Sequence, residues 1–362
     1  MPLETRDRFG APPAVAPGKR LFLAALFVSV VASAAGTEIT VRDESPPPSP
    51  TCRFVGGRWF DGERFVSASY ASVNGILTDR APDGTACRVE LGDRYVIAPL
   101  GEAHIHSLNE VSAIREQIAH FMTKGVFYAM VQDSIFEIGP EIRSQVNRPD
   151  TVDVVYAQGP LVAPQYGTLQ DIYQRLLDAG AFGTRKSLKE LDTREIFLVE
   201  DASDLAAKWD RLVTKNRDIV KVLLAFSDQY HERRSRAGAS DKPRPGIDPA
   251  LLPEIVQRAH AAGLRVSTHV ETAGDIEAAV EAGADIIAHL PGWRIGVAAG
   301  YAEGDLAPFR ISPSVARQAA RQGTVVVTTT TPKAWLSNTE ESLPRWTERS
   351  TLPTSICSSG MA

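Results

Sequence analysis

The chain has 362 residues, of which 43 % are hydrophobic and 23 % charged. That is enough for one large domain with a small companion, and it excludes wholesale disorder and a multi-span membrane protein. Its 39 Lys and Arg against 44 Asp and Glu leave a formal charge of −5, without the basic surplus of a nucleic-acid binder.

Residues 1–34 read as a secretory signal peptide. Arg6, Arg8, Lys19 and Arg20 precede the apolar run from Leu21 to Ala32, and the small residues Ala32, Ser33 and Ala34 follow it. The run is too short to cross a bilayer, which takes about 20 helical residues, so no stable membrane anchor is expected. The expected location is periplasmic or secreted. Residues 35–51 form a Pro-rich linker, with the tract from Asp43 to Pro50 extended.

From 52 to 94 the apolar runs are short and rich in Val, Phe, Tyr and Ile, broken by Asp61-Gly62, Asn74-Gly75 and Asp83-Gly84. Such dipeptides favour hairpin turns, so this stretch reads as a small antiparallel β domain. The three cysteines, at 52, 87 and 357, match no zinc or redox spacing. In an oxidising compartment Cys52 and Cys87 form either a bridge across this domain or two unpaired thiols.

Residues 95–331 alternate apolar strands with helix-period segments. The expected strands are Tyr95–Leu100, Gly125–Val131, Asp153–Gln158, Ile219–Phe226, Arg265–Val270, Ala284–Leu290 and Thr324–Thr330. Asp248-Pro249 opens one helix and Gly263 closes it; Ser312-Pro313 and Gly323 bracket another. Seven βα steps predict an α/β fold, a (β/α)8-type TIM barrel, with an open doubly wound sheet as the alternative.

The chemistry gathers at strand ends. In VIAPLGEAHIHS a strand ends with His104 and His106, whose period-2 spacing puts both imidazoles on one face. His269 ends RVSTH and His289 ends DIIAH, one βα unit apart. Four of the seven histidines therefore sit where a barrel opens its active-site mouth, a set suited to a divalent metal such as zinc. His120 and His260 fall on helices and His231 in the polar loop YHERRSR. Lys221 interrupts the apolar strand IVKVLL, where a bare ammonium is costly. It is either a snorkelling or salt-bridged lysine, or an amine that takes up CO2 as a metal-bridging carbamate.

With these motifs the chain resembles the metal-dependent amidohydrolase superfamily, most of all its imidazolonepropionase-like and Xaa-Pro dipeptidase-like branch. The resemblance spans about residues 52–331 and rests on VIAPLGEAHIH, DIVKVLL, STHVETAGDIEAAVEAGADIIAHLPG and VVVTTTT. It implies one or two zinc-like ions held by His104, His106, Lys221, His269 and His289, Lys221 being a carbamate. It also implies that the N-terminal β domain is half of a sandwich. The expected reaction is hydrolysis of an amide or other C–N bond through metal-activated water, in a small-molecule or peptide-like substrate. Tyr166 and Tyr230, in loops after strands, are candidate substrate contacts. A homo-oligomer is allowed, and a solute-binding protein is disfavoured because it leaves the histidines unexplained.

One expected element is missing. The superfamily carries an Asp at the end of its eighth strand, acting as metal ligand and general base, whereas the 31 residues after Thr331 contain no Asp. Residues 332–362 read as an irregular tail, either a disordered natural extension or, the favoured reading, a truncated or out-of-frame ending to a barrel of seven strands. Asp133 and Asp228 are the nearest carboxylates, and weak turnover is expected, the alternative being a non-catalytic metal-binding relative.

Overall fold

The computed structural model describes residues 51–134, 137–165, 167–214, 217–235, 243–292, 300–302 and 304–329. The expected signal peptide, the linker up to Pro50, Tyr166 and the tail 332–362 lie outside them. Among the described residues no helix is long and apolar enough to cross a membrane.

A first sheet holds five strands, β1 (Cys52–Phe60), β2 (Phe65–Ser67), β3 (Tyr70–Val73), β4 (Ile76–Thr78) and β5 (Cys87–Val96). Between β3 and β4, Asn74 at φ 52° and Gly75 at φ 78° make the two-residue link that pairs Val73 with Ile76. Positive φ at both central residues is the hairpin geometry that an Asn-Gly dipeptide supplies. The expected all-antiparallel unit is corrected in one place: β5 runs parallel to β1, with Cys52 opposite Cys87. The longer connection after Thr78 lets the chain return to the starting end of β1, which a tight hairpin forbids. There Cys52 and Cys87 are joined by a disulfide.

The second sheet contains β6 (Leu100–Ile105), β7 (Val126–Ser134), β8 (Asp153–Gln158), β9 (Leu161–Val162), β10 (Phe197–Leu198), β11 (Ile219–Leu223), β12 (Arg265–His269), β13 (Ile286–Ile287) and β14 (Val325–Val326). Its main path runs β14-β13-β12-β11-β8-β7-β6, every pairing parallel, while the short β9 and β10 pair beside β11. Helices alternate with the strands: α1 (Ile114–Thr123), α2 (Pro140–Arg143), α3 (Gly167–Asp178), α4 (Leu188–Leu191), α5 (Ala202–Thr214), α6 (Tyr230–Ser235), α7 (Leu252–Ala261), α8 (Ala273–Glu281) and α9 (Pro313–Gln322). The class is α/β, and the seven strands of the main path form the curled arc of a TIM-type barrel.

The curl shows in side chains that meet across the concave face. Gln132 on β7 reaches Ser267 on β12, and His104 on β6 reaches the carbonyl of Ala288 just past β13, though neither pair of strands is adjacent. The convex face carries the apolar core. Val220 and Val222 of β11 pack with Leu205, Trp209 and Leu212 of α5 and with Leu252, Ile255 and Ala259 of α7. A second cluster joins Val131 of β7 and Val154 and Tyr156 of β8 to Ile114 and Ile118 of α1. Alternation along β11 then turns Lys221 and Leu223 to the concave side.

Several expected boundaries move. Tyr95 and Val96 finish β5, and the parallel sheet starts only at Leu100, because Pro99 has no N–H to give a ladder. The strand expected to reach Phe226 stops at Leu223, and Phe226 turns to φ 55°. The strands expected over 284–290 and 324–330 shorten to Ile286–Ile287 and Val325–Val326. His231 lies in α6 rather than in a loop. Helix ends follow the local chemistry: Asp248 accepts from Ala250 N at 2.9 Å ahead of a 3-10 turn that leads into α7, and Ser312 Oγ caps Val315 N at 3.3 Å in α9.

Candidate functional site

The C-terminal ends of β6, β12 and β13 bring the four strand-end histidines together. His104 is the fifth residue of β6 and His106 lies just beyond it; His269 closes β12, and His289 follows β13 by two residues. They meet as two pairs. His104 Nε2 stands 3.2 Å from His106 Nε2, and His289 Nε2 stands 2.8 Å from His269 Nδ1. The rings of His104 and His289 lie 5.6 Å apart between centroids and join the pairs.

The outer nitrogens explain which atoms face inward. His104 Nδ1 donates to Ala288 O at 2.6 Å, His106 Nδ1 to Asp133 O at 3.2 Å, and His289 Nδ1 to Leu290 O at 2.9 Å. A carbonyl oxygen only accepts, so each contact fixes the proton on the outer nitrogen and leaves the inner one bare. His269 Nε2 donates to Glu271 Oε1 at 3.1 Å, and its Nδ1 faces His289 Nε2. Burial, with the charge of Lys221 in second place, holds the His104 imidazole down to about 3. Burial and then His269 hold His289 down to about 2. His106, open on one side, is lowered first by loss of water around its ring and also by Lys221.

The facing nitrogens of His104 and His106 are both bare, and such lone pairs repel unless a cation lies between them. Two imidazole nitrogens about 2.0–2.1 Å from one tetrahedral zinc stand roughly 3.3 Å apart. The 3.2 Å pair is close to that span and the 2.8 Å pair is tighter. The His104–His106 pair therefore suits a divalent cation as it stands, whereas His269 and His289 lie at hydrogen-bond distance and would move apart to hold one. Among the described residues, no three His, Cys, Asp or Glu side chains converge tightly enough to enclose an ion by themselves. Each pair needs a further ligand.

Lys221 lies below the histidines on the concave face, 3 % exposed. Its Nζ donates to Gln132 Oε1 at 3.3 Å. Burial pushes its ammonium down, opposed by the attraction of Asp133. The same burial raises the Asp133 carboxyl, opposed by Lys221. Asp133 Oδ1 is buried without a hydrogen-bond partner, while its main-chain oxygen holds His106.

Other expected contacts are directed elsewhere. Asp228 Oδ1 accepts from Thr272 Oγ1 at 3.1 Å and ties two loops together. The Tyr230 hydroxyl accepts from Arg234 Nη1 at 2.6 Å, and Arg234 also pairs with Glu200. The more consequential residues were not anticipated. Asp275, fully buried, accepts from the amides of Phe226, Ser227, Glu271 and Thr272 at 2.8–3.1 Å, locking the loops after β11 and β12. Gln132 and Glu271, both at 0 % exposure, bond to Lys221 and His269. The available signal was the one that marked Lys221: a polar residue inside an apolar strand, as in AMVQDS.

The class defined so far is a parallel α/β barrel sheet with a histidine-lined mouth. No protein-family model and no curated protein matches the sequence. Solved structures do match the fold. One is an amidohydrolase, at 15 % identity and TM-score 0.57 over 82 % of this chain and 70 % of that one. Another is a Xaa-Pro dipeptidase with methionine bound in its active site, at 12 % identity and TM-score 0.56 over 80 % and 70 %. A third is molinate hydrolase, at 13 % identity and TM-score 0.56 over 80 % and 66 %. The chain carries the amidohydrolase fold, and these structural neighbours are hydrolases.

Proposed function

We propose that the protein is an exported metal-dependent hydrolase of the amidohydrolase superfamily that cleaves an amide or other C–N bond in a small-molecule or peptide-like substrate. The observation that carries this reading is the pair of facing nitrogen couples, 3.2 and 2.8 Å apart, turned inward by their outer hydrogen bonds. The hydrolases among its structural neighbours support it, and the Cys52–Cys87 disulfide supports an oxidising location.

His104 and His106 would hold one divalent ion and His269 and His289 a second, with Lys221 bridging. A divalent cation there supplies Lewis acidity toward a substrate carbonyl and acidifies water. The chain supplies the rest. The Lys221 amine attacks the carbon of dissolved CO2, an N–C bond forms, one C=O electron pair moves to oxygen, and a proton leaves to solvent. The product would be an anion able to hold divalent ions, where the lysine alone would present a cation to them. Asp133, whose buried Oδ1 is unpartnered, is the candidate to take a proton from water in this reading.

The test is metal analysis joined to an amidase screen. Purified protein incubated with zinc should retain about one to two equivalents, and His269→Ala and His289→Ala should lose metal while keeping the wild-type circular dichroism spectrum. Folded wild-type protein that takes up no divalent ion ends the proposal. Metal retention without hydrolysis of any acyl-amino acid or dipeptide assigns the chain to the non-catalytic alternative.

A further inference from the structure

Gln132 sits within β7 with its side chain fully buried. Its Nε2 donates to Ala103 O at 3.0 Å, and because a carbonyl only accepts, this bond fixes which way the amide points. The amide oxygen faces the concave side, where it accepts from Lys221 Nζ at 3.3 Å and from Ser267 Oγ at 2.7 Å. Both lone pairs of that oxygen are used. Ala103 precedes His104 on β6, Lys221 lies on β11, and Ser267, opposite Lys221 in the sheet, precedes His269 by two residues on β12. One amide therefore joins three of the strands that carry the candidate ligands.

A buried amide is expensive unless every valence is met, and an apolar side chain would pack between these strands without that demand. We propose that Gln132 is a positioning residue for Lys221, holding its nitrogen so that the lysine carbamate forms and points toward the histidines. The inference rests on the carbamate reading of Lys221 given above. An ammonium has three N–H donors to satisfy, whereas a carbamylated lysine keeps a single N–H and adds two acceptor oxygens. Beside Lys221 Nζ, Gln132 Oε1 is one acceptor for one N–H, and the amide oxygen it presents is itself locked by Ser267 and, through Nε2, by Ala103. The remaining direction from the nitrogen is left to the carbamate group.

The experiment equilibrates zinc-loaded protein with 13C-bicarbonate and counts the carbamate carbon by 13C NMR, alongside circular dichroism. Wild type should show about one carbamate per chain. Gln132→Met removes the acceptor and should require about tenfold more bicarbonate for half occupancy, the scale of one buried hydrogen bond. Ser267→Ala keeps the acceptor and should shift the requirement less. Gln132→Glu, of nearly the same shape, sets a negative charge against the carbamate and should abolish the signal; it also keeps the test readable if Gln132→Met fails to fold. Full carbamylation of Gln132→Met and Gln132→Glu at the wild-type bicarbonate concentration overturns the positioning role alone. A wild-type chain without a carbamate signal overturns the carbamate reading and the positioning role with it.

Discussion

The two sheets are held together by different means. In the parallel sheet, β11 is buried along its whole length and packs its convex side into a continuous apolar cluster under α5, α7, α8 and α9. In the first sheet the buried apolar side chains are Cys52, Trp59 and Ala71, while Phe60, Phe65, Ile76, Leu77 and Tyr95 are exposed. That sheet relies on hairpin turns, on aromatic contacts such as Trp59 against Tyr70 at 4.6 Å between ring centroids, and on the Cys52–Cys87 bond. A sheet with so little core gains most from a covalent link that limits its unfolded state. The barrel arc has that continuous core, and its buried polar groups include Gln132, Lys221, Ser267, Glu271 and His289 of the candidate site.

Three measurements would break or sharpen this contrast, from the largest effect to the smallest. Truncating the core with Ile255→Ala should cost about 2–5 kcal/mol in denaturant unfolding. The matching Ile76→Ala in the first sheet, where the side chain is 62 % exposed, should stay within about 0.5 kcal/mol. Equal losses would show that the first sheet has a core of its own. Replacing Cys52 and Cys87 by serine should cost about 2–4 kcal/mol, read as faster amide exchange over residues 52–96 with protection of α7 unchanged. Loss of α7 protection in that variant would mean that the two sheets unfold as one unit.

The third measurement uses pH on metal-stripped protein. His104, His106 and His289 have folded values below the ordinary imidazole value of 6.5, so the unfolded chain binds protons first on acidification. Their contribution is intact above about pH 6.5 and is lost progressively as pH falls toward the folded values of about 3 and 2 for His104 and His289. Residues 52–96 contain no histidine. Between pH 7.5 and 5 the global unfolding midpoint should fall, while intrinsic-rate-corrected exchange in the first sheet holds steady. In Asp133→Asn protein, which lacks the raised carboxyl whose proton uptake in the folded chain opposes this trend, a flat midpoint over that range would show that the imidazoles are not buried neutral.

Much of the site was legible in the chain because its signals are local. Period-2 spacing set His104 and His106 on one side, strand-end placement singled out His269 and His289, and a charge in an apolar run marked Lys221. The turn at Asn74-Gly75 and the caps at Asp248 and Ser312 are likewise short-range effects of side chain on neighbouring backbone. Boundaries were less legible: Pro99 divided the strand expected over 95–100, and β5 paired parallel to β1 because the connection before it was long enough to cross back.

The residues of this chain thus determined the strand and helix rhythm, the histidines at the mouth and the anomaly of Lys221, since each depends on neighbours within a few positions. Only the tertiary structure decided which nitrogen of each imidazole faces inward, that Asp228 serves Thr272 while Asp133 keeps an oxygen unpartnered, and that Gln132 holds Lys221 and Ser267. The Asp228–Thr272, Lys221–Gln132 and Gln132–Ser267 contacts join residues 44 to 135 positions apart. They exist because a curled sheet brings its distant strands face to face across one interior, a proximity that no local pattern records.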